Sequence, residues 1–192
     1  MPSAFTHAAV GLALAPAFSW PGAPRRLWLA GALAAAAPDL DVLGFPLGIA
    51  YDAPLGHRGF THSLVFAALL ASLVVFALRQ RRAWLYLFVA TASHGLLDMA
   101  TDGGLGIALF APFTEARYFF PFRPIAVSPL GAHAFFSARG VAVLASELVW
   151  VWIPAAAFAA ISSRARRRPI AGHAEREGHG RHRGGEGAAG EP

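Results

Sequence analysis

Histidines and aspartates recur within the apolar part of this 192-residue chain, and both residue types can bind metal ions. Imidazole nitrogen and carboxylate oxygen are ordinary ligands of Zn²⁺, and Mn²⁺ and Fe²⁺ also accept such mixed ligands. Ionisable groups inside apolar segments are costly and therefore indicate a functional site by default. The candidate ligands are His7, Asp39, Asp41, His57, His62, His94 and Asp98.

Helical spacing relates some of these side chains to one another. His94 and Asp98 are four residues apart, so they share one face of a helix. The whole set exceeds what one tetrahedral ion needs. The sequence therefore predicts either two or more ions, most favourably Zn²⁺, or ligands that are oriented by other members of the set.

Two local features affect how the aspartates and a histidine are presented. Asp39 and Asp41 would point apart in an uninterrupted helix, but Pro38 lacks an N–H and predicts a kink or opening nearby. That opening would allow both carboxylates to turn inward. Thr61 predicts an N-cap that would put His62 in the first turn of the following helix.

Each candidate ligand also has an ordinary structural interpretation. A single buried histidine is more often hydrogen-bonded than metal-bound, Asp39 could cap a helix end, and His94 with Asp98 could form an interhelical pair. A shared site is favoured because the candidates fall at one depth of the predicted membrane bundle.

Further polar residues could act on a substrate. Arg58 could hold a phosphate or carboxylate oxygen, or could pair with Asp52. Asp102 is a weaker ligand candidate or a general base, and Glu115 could accept a proton. Further candidates for substrate contact are Arg117, Arg123 and His133.

Composition indicates a membrane protein. Hydrophobic residues make up 56% of the chain and charged residues 14%, against roughly 45–50% and about 25% in soluble domains. The absence of cysteine excludes disulfides and thiolate chemistry. Apolar runs at roughly 4–20, 27–45, 61–78, 83–101 and 140–161 predict an all-α membrane bundle of about five spans.

Arginines at the ends of these runs predict the orientation. They are concentrated between runs one and two, between runs three and four, and after run five. By the positive-inside rule, the N-terminus lies outside, the C-terminus is cytoplasmic, and the candidate site is near the outer face of an inner membrane.

Residues 1–163 are expected to form the integral-membrane domain, and residues 164–192 a disordered cytoplasmic tail. Glu147 is the only acidic residue of the fifth run, where a structural or ligand-supporting role is favoured. The tail contains histidines that could bind metal adventitiously: His173, His179 and His182.

The chain resembles the YdjM-like family of LexA-regulated, membrane-bound metal-dependent hydrolases. The most specific matching segment is His57-Arg58-Gly59-Phe60-Thr61-His62-Ser63. Other matching pieces are Thr6-His7, Pro38-Asp39-Leu40-Asp41, Ser93-His94-Gly95-Leu96-Leu97-Asp98 and Thr101-Asp102-Gly103-Gly104. The ligand set is more distantly similar to the zinc-dependent phospholipase C and P1 nuclease group, a similarity that implies phosphoester hydrolysis by analogy.

The function expected from these observations is hydrolysis by metal-activated water. Aromatic segments at 108–113 and 118–125 could lie in the headgroup region, so an amphiphilic or phosphoester substrate suits the setting. The alternative is a non-enzymatic transporter or metal-ion-binding protein, which should carry ionisable residues through the full membrane depth. No nucleic-acid partner is expected, and the oligomeric state is left open.

Overall fold

The computed structural model describes residues 1–128 and 136–167. Regular structure within these ranges is helical, apart from isolated β-bridges, so the all-α prediction is confirmed for them. The helices are α1 (Ala4–Phe18), α2 (Arg26–Ala36), α3 (Leu64–Leu78), α4 (Trp84–Met99) and α5 (Ala138–Arg167).

Helix α2 changes its winding where the proline was expected to act. The chain passes from α2 into a 3₁₀ helix, Ala37–Leu47, with Pro38 in its first turn. Proline has no N–H to donate and its ring clashes with the preceding turn, so the α-helical ladder ends there. The predicted opening at Pro38 is present, and it directs Asp39 toward the buried end of the bundle.

Two helical stretches are long and apolar enough to cross a bilayer, namely Arg26–Leu47 and Ala138–Arg167. Helices α1 and α3 are apolar but have 15 residues each. At 1.5 Å per residue they extend about 22 Å, less than the ~30 Å hydrocarbon core. The described residues therefore do not confirm a bundle of five spans.

The centre of the bundle depends on close approach of α1, α2 and α4. The hydroxyl of Tyr86 donates to the carbonyl oxygen of Gly11 at 2.9 Å. A Cβ atom on Gly31 would lie 1.9 Å from that hydroxyl oxygen. Glycine at position 31 is therefore what allows Tyr86 to lie between α1 and α2.

The start of α3 differs from the sequence prediction. Ser63 is the N-cap, and its side chain accepts a hydrogen bond from the backbone N–H of Phe66 at 3.1 Å. The Thr61 N-cap prediction is wrong, because the Thr61 hydroxyl donates to Asp41 instead. His62 accordingly lies in a 3₁₀ turn, Phe60–His62, before α3 begins.

The segment after α4 folds back over the end of that helix. The backbone N–H of Phe120 donates to the Met99 carbonyl, and that of Ile125 donates to the Ala100 carbonyl, at 2.9 and 3.2 Å. These bonds hold the aromatic connection against the end of the bundle that contains the histidines and aspartates.

Helix α5 contains one π-helical turn, Leu148–Trp152. It continues through Arg167, so the first four residues of the predicted tail, 164–167, are helical. Residues 168–192, with the three tail histidines, lie outside the described residues, as does His133.

Candidate metal centre

The candidate ligands come from separate elements that meet at one end of the bundle. His7 lies in the first turns of α1, Asp39 follows α2, His62 precedes α3, and His94 and Asp98 lie in the second half of α4. All five are buried.

One group combines His7, His94 and Asp98, whose available ligand atoms lie within 4.8 Å of one another. The Nε2 atom of His7 is 3.4 Å from Oδ1 of Asp98. The rings of His7 and His94 stack with centroids 3.7 Å apart. All three side chains are fully buried.

A second group combines Asp39, His57 and His62, again with ligand atoms within 4.8 Å of one another. Nε2 of His62 is 3.9 Å from Oδ1 of Asp39. His57 is 2% exposed and Asp39 is 8% exposed, so this group also lies beneath the surface.

The two groups adjoin. The Nε2 atoms of His62 and His94 are 3.0 Å apart, and Oδ1 of Asp39 lies 3.2 Å from Nε2 of His94. Two imidazole nitrogens on one tetrahedral zinc ion would be about 3.3 Å apart. The spacing therefore fits ligands of one ion, and Asp39 lies where it could serve either group.

Ring hydrogen bonds orient the imidazoles. Nδ1 of His94 lies 2.8 Å from the carbonyl oxygen of Ala35, which can only accept, so Nδ1 carries the proton. In the neutral ring this leaves the lone pair on Nε2, which faces His62. Such an outer hydrogen bond is the usual way in which a metal-binding histidine is fixed.

Asp41 orients two further histidines. Its Oδ1 lies 2.6 Å from Nδ1 of His57, and its Oδ2 lies 3.2 Å from Nδ1 of His62. Oδ2 also accepts from the Thr61 hydroxyl and the Arg58 backbone N–H. The sequence predicts Asp41 as a ligand. In the structure these contacts occupy both of its oxygens, so Asp41 orients the two histidines from the side away from their Nε2 atoms.

The buried polar atoms without a hydrogen-bond partner are concentrated here. They include both ring nitrogens of His7 and both carboxylate oxygens of Asp39 and Asp98. Buried polar groups are normally hydrogen-bonded, and each exception calls for an explanation. A cation between these atoms would satisfy them, so the donor set and its unpaired atoms fit a metal centre.

Arg58 is fully buried, and its guanidinium links the loop after α4 to Asp98. One of its terminal nitrogens, Nη1, donates to the carbonyls of Gly103 and Leu105, and Nη2 donates to Thr101. Its Nε lies 3.4 Å from Oδ2 of Asp98. The guanidinium contacts Asp98 and not Asp52. Because these contacts occupy its N–H groups, no adjacent pair of them is free to bind a substrate oxygen.

Arg58 also adopts a left-handed backbone conformation, with φ of 65°. That region is uncommon for residues other than glycine, and such strain concentrates at functional sites. The strain and the buried guanidinium together indicate that this position requires arginine.

The remaining substrate-contact candidates lie outside the two groups. Asp102 is exposed, and its Oδ1 accepts from the backbone N–H of Val127 at 2.8 Å. Glu115 is exposed. Arg117 donates to several loop carbonyls, and the Arg123 guanidinium lies 4.8 Å from the Phe119 ring centre. Arg117 contacts the backbone carbonyls of His57 and Arg58, and none of the four side chains belongs to either ligand group.

The sequence favours a structural or ligand-supporting role for Glu147 but does not identify its hydrogen-bond partners. This fully buried carboxylate accepts hydrogen bonds from the hydroxyls of Ser3 and Thr6, each at 2.7 Å. The indole N–H of Trp152 also donates to the Thr6 hydroxyl. The network ties α5 to the start of α1 beside His7. The signal in the sequence was a lone carboxylate in an apolar run, but its partners are more than 140 positions away.

A cavity of about 390 Å³ reaches His57 from the surface. Tyr51, Gly104, Leu105 and Val127 line it. Because His57 belongs to the second group, this cavity borders the candidate centre.

Comparison with known proteins identifies the family. Residues 1–169 match the family described as YdjM inner membrane protein. This chain belongs to that family. It is also 43% identical over 160 residues to the inner membrane protein YbcI of Escherichia coli (strain K12), covering 80% of this chain and 92% of that protein. No solved structure matches.

Membership of the YdjM family places this protein in the inner membrane. It also confirms the resemblance drawn from the histidine and aspartate motifs. The descriptions of the family and of YbcI name the membrane and no activity.

Proposed function

We propose that this YdjM-family protein is a membrane-embedded, metal-dependent hydrolase that acts on a lipid or another phosphoester. The observation that carries the proposal is the set of buried ligand atoms of His7, Asp39 and Asp98 that form no hydrogen bond, beside the facing nitrogens of His62 and His94. Leaving such groups without a partner costs about 1–3 kcal/mol each or more. A cation removes that cost.

The metal would be held by histidine nitrogens and aspartate oxygens, a set that suits Zn²⁺ first and Mn²⁺ or Fe²⁺ next. The two adjoining groups of three ligands suit two ions, and the short distance between His62 and His94 suits one ion that both groups share. A divalent ion bound there would supply hydroxide at neutral pH and would polarise a phosphoryl oxygen.

The protein's own contribution is to fix the ligands. Asp41 and the Ala35 carbonyl hold three imidazoles in one orientation, and Arg58 offsets the buried charge of Asp98. These partners are set before a substrate arrives, so the centre needs little rearrangement when it reacts.

An amphiphilic substrate is supported by an apolar groove along α4. The groove has a volume of about 680 Å³ and lies beside the helix that contributes His94 and Asp98. Its lining includes Ser93, Leu96, Leu97, Phe120, Phe122 and Trp150. An acyl chain in this groove would keep its headgroup at the end of the bundle where the metal centre lies.

We extend the proposal to the arrangement in the membrane. The apolar helices form about five membrane-crossing segments, with the N-terminus outside, the C-terminus in the cytoplasm and the centre near the outer face. The many exposed large apolar side chains on α2, α3 and α5 support contact with lipid. The arginines at the opposite end support the orientation.

The transport alternative has less support. A cation path should place ionisable residues along the membrane depth, but α3 contains none from Leu64 to Leu78. The histidines and aspartates of α1 and α4 cluster at one end of the bundle.

The test is hydrolysis by purified full-length protein in detergent. Phosphatidylethanolamine, phosphatidylglycerol and phosphatidic acid are supplied in mixed micelles with Zn²⁺ or Mn²⁺, and released phosphate and headgroup are measured. Activity should be lost in Asp98→Asn and retained in Asp52→Asn, the same change at an exposed position. Protein with verified bound metal that releases neither product from any of these lipids would refute lipid phosphoester hydrolysis.

A further inference from the structure

A second cavity lies at the end of the bundle opposite the candidate metal centre. It has a volume of about 1000 Å³ and is lined by the end of α3, by the turn that leads to α4, and by Trp20. Three arginines contribute to its wall: Arg79, Arg81 and Arg82.

The charge at this end is not balanced. Every acidic residue in the described ranges lies at the metal-centre end or in the loops that cover it. Within those ranges, no carboxylate forms an ion pair with the three cavity arginines. Other described arginines at the same end are Arg25, Arg26, Arg164, Arg166 and Arg167.

Arg79 occupies a position where glycine would cost less. It ends α3 in a left-handed conformation, with φ of 54°. Glycine is the usual residue at such a helix end because it has no Cβ to clash. The presence of arginine in this strained position indicates that its guanidinium has a role in the cavity.

An apolar stripe leads away from the cavity. Leu69, Leu73 and Phe76 share one face of α3 and are 57%, 64% and 83% exposed. Phe76 also lines the cavity, and Trp20 provides the indole that is common at a membrane interface. Arg166 donates to the Ala17 and Ser19 carbonyls, next to Trp20, so the arginine end of α5 lies at the cavity's edge.

From these contacts we propose that the arginine-lined cavity is a binding site for an anionic phospholipid of the cytoplasmic leaflet. The phosphate headgroup contacts Arg79, Arg81 and Arg82, and the acyl chains lie along the α3 stripe. A free phosphate ion would use the arginines but not the stripe. The site is separate from the metal centre and does not depend on hydrolysis.

The test is calorimetric titration of full-length protein in a non-ionic detergent with dihexanoylphosphatidylglycerol. A chelator is present, so the metal centre does not contribute. Parallel titrations use dihexanoylphosphatidylcholine and inorganic phosphate. We expect saturable binding of the anionic lipid, at least about tenfold weaker binding of the zwitterionic lipid, and no saturable binding of phosphate over the same concentrations.

Variants distinguish specific binding in the cavity from general attraction of the anionic lipid to a positively charged surface. Arg81→Gln with Arg82→Gln should weaken binding about thirtyfold, and Arg79→Gly about fivefold without loss of thermal stability. Arg25→Gln with Arg26→Gln removes the same charge outside the cavity and should have a smaller effect. Equal weakening by the two double variants, or equal affinity for phosphatidylcholine or inorganic phosphate, would overturn the proposal.

Discussion

His62 and His94 lie 32 positions apart in the chain, yet their Nε2 atoms face each other at 3.0 Å in the buried end of the bundle. The other nitrogen of each ring is held from outside: Nδ1 of His62 contacts the Thr61 hydroxyl and Asp41, and Nδ1 of His94 contacts the Ala35 carbonyl. In neutral rings, this contact brings two lone pairs together. The arrangement is unfavourable unless a proton or a cation lies between them, and the unpaired oxygens of Asp39 and Asp98 nearby favour a cation.

The first prediction concerns metal content. Purified wild-type protein should contain about one to two divalent ions per chain by elemental analysis. His62→Ala and His94→Ala should each lose metal, because each removes a nitrogen from the contact between the two groups.

A matched control uses histidines of the tail. Replacing His173, His179 and His182 together by alanine should leave the metal content unchanged. Loss of metal in the tail variant with retention in His62→Ala and His94→Ala would place the metal on the tail and contradict the proposed centre.

A second prediction separates Asp41 from Asp39. Asp41→Asn puts an amide NH₂ among groups that donate to the carboxylate, so it should disturb the orientation of His57 and His62. Loss of such an outer partner typically lowers metal affinity about 10–100-fold. Competition with a chromogenic chelator should show that decrease for Asp41→Asn while saturating metal restores full occupancy.

Asp39→Asn should behave differently, because Asp39 is a candidate ligand with two unpaired oxygens. We expect its occupancy to stay low even at saturating metal. Identical affinity curves for the two variants would argue against their separate roles.

A third prediction tests the packing of α4 against the His62 turn. A Cβ on Gly95 would lie 2.8 Å from the backbone oxygen of His62, so Gly95→Ala must displace that turn. Alanine favours a helix over glycine by about 1 kcal/mol, so the helix itself should not suffer.

Metal affinity of Gly95→Ala should fall about tenfold, as measured by the same chelator competition. Ser93→Ala is the control, because the Ser93 hydroxyl bonds within its own helix to the Ala90 carbonyl. Unchanged affinity in Gly95→Ala would mean that the His62 turn is free to move without affecting the centre.

A fourth prediction concerns Arg58. Arg58→Met keeps much of the side-chain volume but leaves Asp98 and two carbonyls without their partner. Breaking a buried charge pair costs about 3–5 kcal/mol, so the free energy of unfolding should fall by that amount in metal-free protein. Denaturant unfolding in detergent measures it.

Arg123→Met provides the comparison, since Arg123 is exposed and should change the free energy of unfolding by no more than about 0.5 kcal/mol. If Arg58→Met is as stable as Arg123→Met, the contacts of Arg58 with Asp98 and the loop carbonyls do not stabilise the fold. Added metal should recover part of the stability of Arg58→Met, because a cation offsets the charge on Asp98.

The sequence alone determined the helical class and the approximate positions of the helices. Long apolar runs have few ways to satisfy their backbone groups other than as helices, so the predicted runs at 61–78 and 83–101 correspond to α3 and α4. Residue chemistry also picked out the histidines and aspartates, because ionisable groups are rare in apolar surroundings.

Only the tertiary structure decided which of those groups share the centre and which support it. Asp39 and Asp41 are two positions apart, but Asp39 has unpaired oxygens and Asp41 is surrounded by donors. Arg58 and Asp102 both lie in matching motifs, but one is fully buried and the other is exposed. Burial and hydrogen-bond partners depend on residues far away in the chain, which local spacing does not specify.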